Sequence, residues 1–148
     1  MALAGIALNI YGKAEDFFRT IQNGQAPEKF TQQHLKDLGF TSTNYRAFIP
    51  LLKALGFLTD DGVPTQRYHD YRNNALSRKV MGKAIKEAYS DIFVIKEFPK
   101  PEDEELIQGK FKSTFNTSDA NSKKMTKTFY ALLDIADINS DEDEVALN

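Results

Sequence analysis

The sequence contains no cysteine and only two histidines among its 148 residues. Without cysteine, the chain has no disulfide framework, no thiolate ligand for a metal and no thiol nucleophile. No stretch approaches the roughly 18 consecutive apolar residues that a membrane-spanning helix requires. The short apolar run within residues 1–13 is not preceded by the basic segment that opens a secretory signal. We therefore predict an N-terminal strand or helix start here, no association with a membrane, and a cytoplasmic protein.

The motifs of several large enzyme classes are also missing. The chain has no phosphate-binding Gly loop of the Walker or Rossmann type, no Gly-x-Ser-x-Gly elbow and no His-Glu-x-x-His motif. His34 and His69 fall on different predicted helices, where packing at or near the surface explains them better than metal binding or catalysis. We expect no enzymatic activity, no cofactor, and neither a catalytic nor a metal site.

Charge is nearly balanced over the whole chain but unevenly distributed along it. The net charge of −2 argues against strong binding to nucleic acid. Ten of the 21 acids lie within residues 102–105 and 134–144, and removing these ten leaves 11 acids against 19 Lys and Arg. A basic body with an acidic end is a known pattern in nucleic-acid binders. The alternative interpretation is a solvated helical surface followed by a disordered end.

The chain length favours one compact domain. We place this domain at residues 1–138, with approximate halves at 13–98 and 102–138 that meet near Pro99 and Pro101. Residues 139–148 are acidic and mostly polar, a composition that predicts a disordered tail.

The stretch from Phe40 to Arg72 has the clearest pattern in the chain and predicts a helix, a short hairpin and a second helix. Apolar residues three and four apart predict a helix over Thr43 to Leu55, ended by Gly56. Asp60-Asp61-Gly62 lies between two short β-prone pieces and predicts a tight hairpin. This order is the outline of a winged-helix unit.

Two details of this stretch concern its helices. Pro50 lies inside the first helix, so we expect either a kink near Arg46 or two short helices that meet there. Thr65 is the predicted N-cap of the helix over Gln66 to Asn73.

Helical spacing of apolar residues also covers the flanking segments. Lys13 to Asn23 predicts an amphipathic helix, and Thr31 is the predicted N-cap of a second helix that ends at Gly39. Together with Thr43 to Leu55, this second helix has the spacing of a helix-turn-helix.

The rest of the chain is predicted to be helical as well. Ser77 is expected to cap a helix that runs to Tyr89, and Asp91 to Glu97 is either a strand or the end of that helix. Ser118 or Asp119 is expected to cap the last long helix. The predicted fold is mainly α with a small β-hairpin, a winged helix-turn-helix-like half followed by a second helical half; the alternative is an all-α helical bundle.

The candidate nucleic-acid-binding residues lie on predicted polar helix faces and in two basic clusters. Side chains near the second helix of a helix-turn-helix contact bases and phosphates, and the backbone amides at a helix start, here beside gathered lysines, also favour phosphate. The candidates are Asn44, Tyr45, Arg46, Lys53, Arg67, Tyr68, Arg72, Lys123, Lys124 and Lys127. They predict a non-enzymatic protein whose partner is DNA or RNA.

The alternative function is a protein-interaction or oligomerisation adaptor that binds a protein partner or another copy of itself. Arg46 and Lys53 are only two charges on a helix that would need more to read DNA. The chain is also rich in aromatic residues, with 11 Phe and 6 Tyr. From the sequence, this alternative stands nearly level with nucleic-acid binding.

Several motifs resemble those of a bacterial domain family of unknown function. These are PEKFT at Pro27 to Thr31, IPLLKALGFL at Ile49 to Leu58, DGVPTQRYHDYR at Asp61 to Arg72, and the later SKKMTKTFYALLDIAD. The resemblance extends over about Lys13 to Asp137. It implies no activity, and the type of family suggests a bacterial regulatory, mobile-element or defence context. Residues Thr31 to Tyr71 resemble, more loosely, the winged helix-turn-helix domains of regulators.

Overall fold

The computed structural model describes residues 2–139, and helices are its main elements. They are α1 Ala14–Asn23, α2 Gln32–Asp37, α3 Phe48–Ala54, α4 Gln66–Tyr71, α5 Ser77–Ala88, α6 Ser90–Ile95, α7 Glu104–Phe115 and α8 Asp119–Asp134, with short 3-10 helices at Tyr11–Lys13, Thr43–Ala47 and Pro101–Asp103. The prediction of a mainly α fold is confirmed. The predicted tail lies outside the described residues, apart from Asn139.

Helix α1 supplies the centre of the first half. Phe17 and Phe18 are adjacent and both buried, and Phe17 stacks on Phe48 of α3 with ring centroids 4.1 Å apart. Phe18 meets Tyr71 of α4 edge to face at 5.7 Å. The predicted helix over Lys13 to Asn23 is confirmed, with its first residue at Ala14.

The two helices after α1 follow from local chemistry. The hydroxyl of Thr31 accepts a hydrogen bond from the His34 amide at 3.2 Å, which confirms Thr31 as the N-cap of α2. The next predicted helix is divided into the 3-10 helix Thr43–Ala47 and α3. Pro50 is the third residue of α3, close to the junction of the two helices, and has no amide to donate to a carbonyl of the 3-10 helix behind it. Of the two expectations for Pro50, the meeting of two short helices is the one observed.

The small β-hairpin and the winged-helix half are not confirmed, because no strand occurs between residues 2 and 139. Leu58 and Pro64 form one isolated antiparallel bridge, and the Thr59 amide donates to the Val63 carbonyl at 2.9 Å. Pro64 has no amide to extend the ladder. Thr65 precedes α4 as predicted, but its hydroxyl donates to the Gly56 carbonyl at 2.7 Å instead of capping the helix.

Helices α5, α7 and α8 meet around a second aromatic cluster. Tyr89 at the end of α5 meets Phe129 of α8 at 5.0 Å and Phe111 of α7 at 6.2 Å. For the segment from Asp91 the sequence predicted either a strand or the end of the preceding helix. The segment is helical and forms most of α6. Ser118 caps α8 by accepting from the Asn121 amide, whereas Ser77 is the first residue of α5 and does not cap it. Crossing a bilayer takes a long apolar helix, and none of the helices within residues 2–139 meets that requirement.

The N-terminal segment contacts α5 and α8 before α1 begins. Residues 2–8 form neither strand nor helix. The Ala4 amide donates to the Ala88 carbonyl at 2.9 Å, and the Leu8 amide donates to the Thr128 hydroxyl at 2.9 Å. Leu8 is fully buried. The segment therefore ties the start of the chain to α5 and α8.

The chain after α8 returns across α5. The Asp137 amide donates to the Arg78 carbonyl at 2.9 Å, and Nη2 of Arg78 donates to the Ala136 carbonyl at 3.0 Å. A Cβ atom at Gly82 would overlap the carbonyl oxygen of Asp137. Glycine at this position allows the two backbones to approach.

We expect Gly82→Ala to lower the free energy of unfolding by about 1–3 kcal/mol, because overpacking forces a backbone shift. Gly109→Ala is the matched control, since a Cβ added there in α7 would have no neighbour within 4 Å among residues 2–139 beyond the backbone of its own helix and the adjacent residues. That variant should be more stable by about 0.5–1 kcal/mol because alanine favours a helix. Denaturant unfolding measures both, and equal effects would contradict the close crossing.

His34 of α2 is partly buried and lacks one hydrogen bond. Its ring meets Phe30 edge to face at 4.8 Å, and its Nε2 atom is buried without a partner among residues 2–139. Burial disfavours the charged ring and lowers the pKa of His34, and the Asp37 carboxylate offsets part of this effect.

The lowered pKa of His34 predicts a pH-dependent stability. Below the ordinary pKa of 6.5 the unfolded chain binds more protons than the folded chain. The free energy of unfolding should therefore fall as the pH drops from 6.5 through the folded-state pKa, and His34→Gln should reduce that fall. An NMR titration measures the pKa directly, with His69→Gln used to assign the two imidazole signals. A value of 6.5 or above for His34 would contradict the prediction.

Candidate functional site

Three polar side chains from distant parts of the chain meet on one exposed surface. Nδ2 of Asn9 donates to Oδ1 of Asn44 at 3.4 Å, and Nζ of Lys124 donates to Oδ1 of Asn9 at 2.9 Å. All three residues are exposed. We call this group the Asn9 cluster; it joins the N-terminal segment, the 3-10 helix Thr43–Ala47 and α8.

Local hydrogen bonds position each member of the Asn9 cluster. The Ser42 hydroxyl accepts from the Asn44 amide at 3.2 Å and caps the 3-10 helix. The Thr128 hydroxyl donates to the Lys124 carbonyl at 2.7 Å and accepts from the Leu8 amide. Thr128 thus fixes the residue before Asn9 against the helical turn that carries Lys124.

The chemistry of the Asn9 cluster suits recognition of an anionic, hydrogen-bonding ligand. An ammonium group has three N–H donors, so the bond from Lys124 to Asn9 leaves two for a ligand. The amide groups of Asn9 and Asn44 add both donors and acceptors. Together these groups can contact phosphate or base edges.

The other predicted lysines of α8 lie beside Lys124 in different surroundings. Lys127 forms an ion pair with Glu104 of α7 at 2.6 Å, and its hydrogen bond to that carboxylate raises the pKa of Lys127. Lys123 is exposed and lines an open groove of about 680 Å³ between α7 and α8. Glu104 and Glu105 line the same groove, so its charge is mixed.

The predicted residues of the 3-10 helix and α3 are only partly available to a ligand. Tyr45 is half-buried, and its ring lies 4.6 Å from Phe40 and 5.9 Å from Phe48, between centroids. Arg46 and Lys53 are exposed. Tyr45 therefore contributes mainly to packing, and Arg46 lies two residues beyond Asn44 on the same 3-10 helix.

Arg67 binds within the protein. Its Nη1 donates to the Leu55 carbonyl at 2.7 Å, and its Nη2 lies 2.9 Å from both carboxylate oxygens of Glu87 on α5. A Cβ at Gly56 would lie 2.7 Å from the same Nη1 atom. Arg67 thus joins the end of α3 to α5.

Tyr68 and Arg72 also stabilise the fold. Tyr68 is 1% exposed, and burial raises the pKa of Tyr68 to about 12, with nearby Arg72 lowering it in part. Nε of Arg72 donates to the Gly24 carbonyl at 2.8 Å, at the end of α1. The structure does not bring Arg67, Tyr68 or Arg72 into the Asn9 cluster.

Asn9 is the member of the cluster that the sequence did not indicate. Its only signal is its position as the first strongly polar residue after the apolar run Ala2 to Leu8. Its two partners lie 35 and 115 residues away along the chain. A contact at such separations depends on the complete fold.

A family model matches residues 8–143, a range that includes the whole Asn9 cluster. The chain belongs to DUF5343, a family of unknown function. The expectation of such a family, drawn from the motifs, is confirmed. Neither a curated protein nor a solved structure matches this DUF5343 chain. The matched range begins at Leu8, whose amide holds the N-terminal segment on α8.

Thr128→Val tests the bond that positions Asn9. The substitution keeps the size of the side chain and leaves the buried Leu8 amide without an acceptor, so it should cost about 1–3 kcal/mol of unfolding free energy. Thr126→Val is the matched control, because the buried Thr126 hydroxyl donates only to the helix carbonyl of Ser122. Thermal or denaturant unfolding compares the two. A loss as large in Thr126→Val would show that the Leu8 bond is not the cause.

Proposed function

We propose that this DUF5343 chain is a non-enzymatic nucleic-acid-binding protein and that the Asn9 cluster contacts the phosphate backbone. The observation that carries the proposal is the bridge that Asn9 forms between Asn44 and Lys124. Both partners are residues for which the sequence predicted this role. They come from the two halves of the chain and meet on one exposed surface.

The order of elements around Asn44 supports the proposal. α2 is followed by a turn at Gly39, which has a φ of 98°, and then by the 3-10 helix that continues into α3. A helix, a glycine turn and a further helical segment also follow one another in a helix-turn-helix, in which the first residues of the second helix approach the bases. Asn44 lies at that position, two residues after the cap Ser42.

The neighbouring cations extend the proposed interface. Arg46 follows Asn44 on the 3-10 helix and Lys123 precedes Lys124 on α8, and both are exposed. Together with Lys124, they give three cations for phosphate contacts. Such a small number predicts binding of modest affinity that weakens as salt is added.

A salt titration with mixed-sequence DNA and RNA tests this function. Three phosphate contacts predict a slope of about −3 for log affinity against log salt on duplex DNA, since each contributes about −0.9. Lys124→Ala should weaken binding to all sequences and make the slope shallower by about one. Asn9→Ala removes the bridge without removing a charge, so it should weaken binding and keep the slope.

Lys29→Ala is the matched control for the titration. Lys29 is an exposed lysine before α2, so its removal changes the net charge as Lys124→Ala does but leaves the Asn9 cluster intact. Its affinity and salt slope should equal those of the unmodified chain. An equal loss in Lys29→Ala would show that only the net charge matters, and an absence of binding at low salt would refute the function itself.

A further inference from the structure

An apolar groove lies beside α6, away from the hydrogen bonds of the Asn9 cluster. Val94, Ile95 and Phe98 are 68%, 40% and 42% exposed, so three large hydrophobic side chains are exposed within five consecutive positions. Phe93, Val94, Phe98 and Ile138 form the apolar part of a groove of about 280 Å³, with Lys86 and Glu97 among its other residues. Clustered exposure of this kind marks a binding surface more often than single exposed residues do.

The described end of the chain leads directly to this groove. The segment after α8 is held on α5 by the hydrogen bonds between Arg78, Ala136 and Asp137. It passes over Gly82 and brings Ile138 into the lining of the groove. The residues that follow Asn139 therefore start next to the groove.

The sequence of those residues complements the surface that they would meet. Four acids at Asp141 to Glu144 are followed by Val145, Ala146 and Leu147. Lys79, Lys83 and Lys86 of α5 are spaced four and three residues apart, so they share one face of that helix. A lysine-bearing face beside an apolar groove matches an acidic run followed by apolar residues.

We propose that residues 140–148 dock on their own chain, with Asp141 to Glu144 along the lysine face of α5 and with Val145 and Leu147 over the α6 groove. The reach is sufficient, because seven extended residues span up to about 23 Å. The lysine face from Lys79 to Lys86 is about 10 Å long. The composition of residues 140–148 predicts no structure for this segment in isolation. A segment of this kind can become ordered when it binds a surface that supplies apolar and charged contacts.

Charge and local concentration favour this occupant over a second copy of the chain. A symmetric contact between two grooves would bring together two identical lysine faces, which repel. A segment attached next to the groove has an effective concentration in the millimolar range. Intramolecular docking therefore has the advantage at ordinary protein concentrations.

The absence of cysteine makes a single spin label straightforward. In the full chain, Ala146→Cys carries a nitroxide, and amide NMR signals report its proximity. We expect loss of most of the signal intensity for Phe93, Val94 and Phe98, with signals of α2 unchanged. In about 1 M salt, where the Debye length is about 3 Å, the loss should become smaller because the lysine contacts are screened.

Charge reversal provides the matched comparison. In the labelled chain, Lys83→Glu together with Lys86→Glu should restore most of the lost signal intensity. Lys36→Glu changes an exposed residue of α2 and should leave the loss of signal intensity unchanged. Weak loss spread evenly over the surface would refute docking. Loss of similar size at the groove of unlabelled ¹⁵N chain, when it is mixed with labelled ¹⁴N chain, would assign the groove to a second copy and overturn the proposal.

Discussion

The burial of Phe17 and Phe18 on α1 is the constraint on which the first half depends. These adjacent rings point into the same aromatic cluster, where Phe17 stacks on Phe48 and Phe18 contacts Tyr71 edge to face. One short helix therefore positions both α3 and α4. Since Phe48 follows directly from the 3-10 helix that carries Asn44, the stack also determines where that part of the proposed interface lies.

The parts of the fold that follow from neighbouring residues could be predicted from the sequence. Helix α1 and the caps Thr31 and Ser118 depend on apolar spacing and on side chains three residues from their partners. The hairpin could not, because turn residues indicate a reversal of the chain but not the length of the ladder. Pro64, which lacks an amide, leaves that ladder at a single bridge.

The candidate site was predictable only in part, because a basic residue in a sequence does not show its partner. Arg67 has the pattern of a phosphate contact but pairs with Glu87, which lies 20 residues later on another helix. Asn44 and Lys124 remain exposed, as predicted. Their connection through Asn9 arises from packing between segments far apart in the chain, and no local pattern records it.

The attachment of the N-terminal segment determines when the native structure is complete during synthesis. The Thr128 hydroxyl that accepts the amide hydrogen bond of Leu8 is made 120 residues after Leu8. Ala4 likewise waits for the carbonyl of Ala88. Contacts of such separation form late because the loop between them must first be closed. The segment that carries Ala4 and Leu8 is therefore translated before its partners but is among the last of these parts to reach its final position, and the Asn9 cluster is assembled only after α8 has been made.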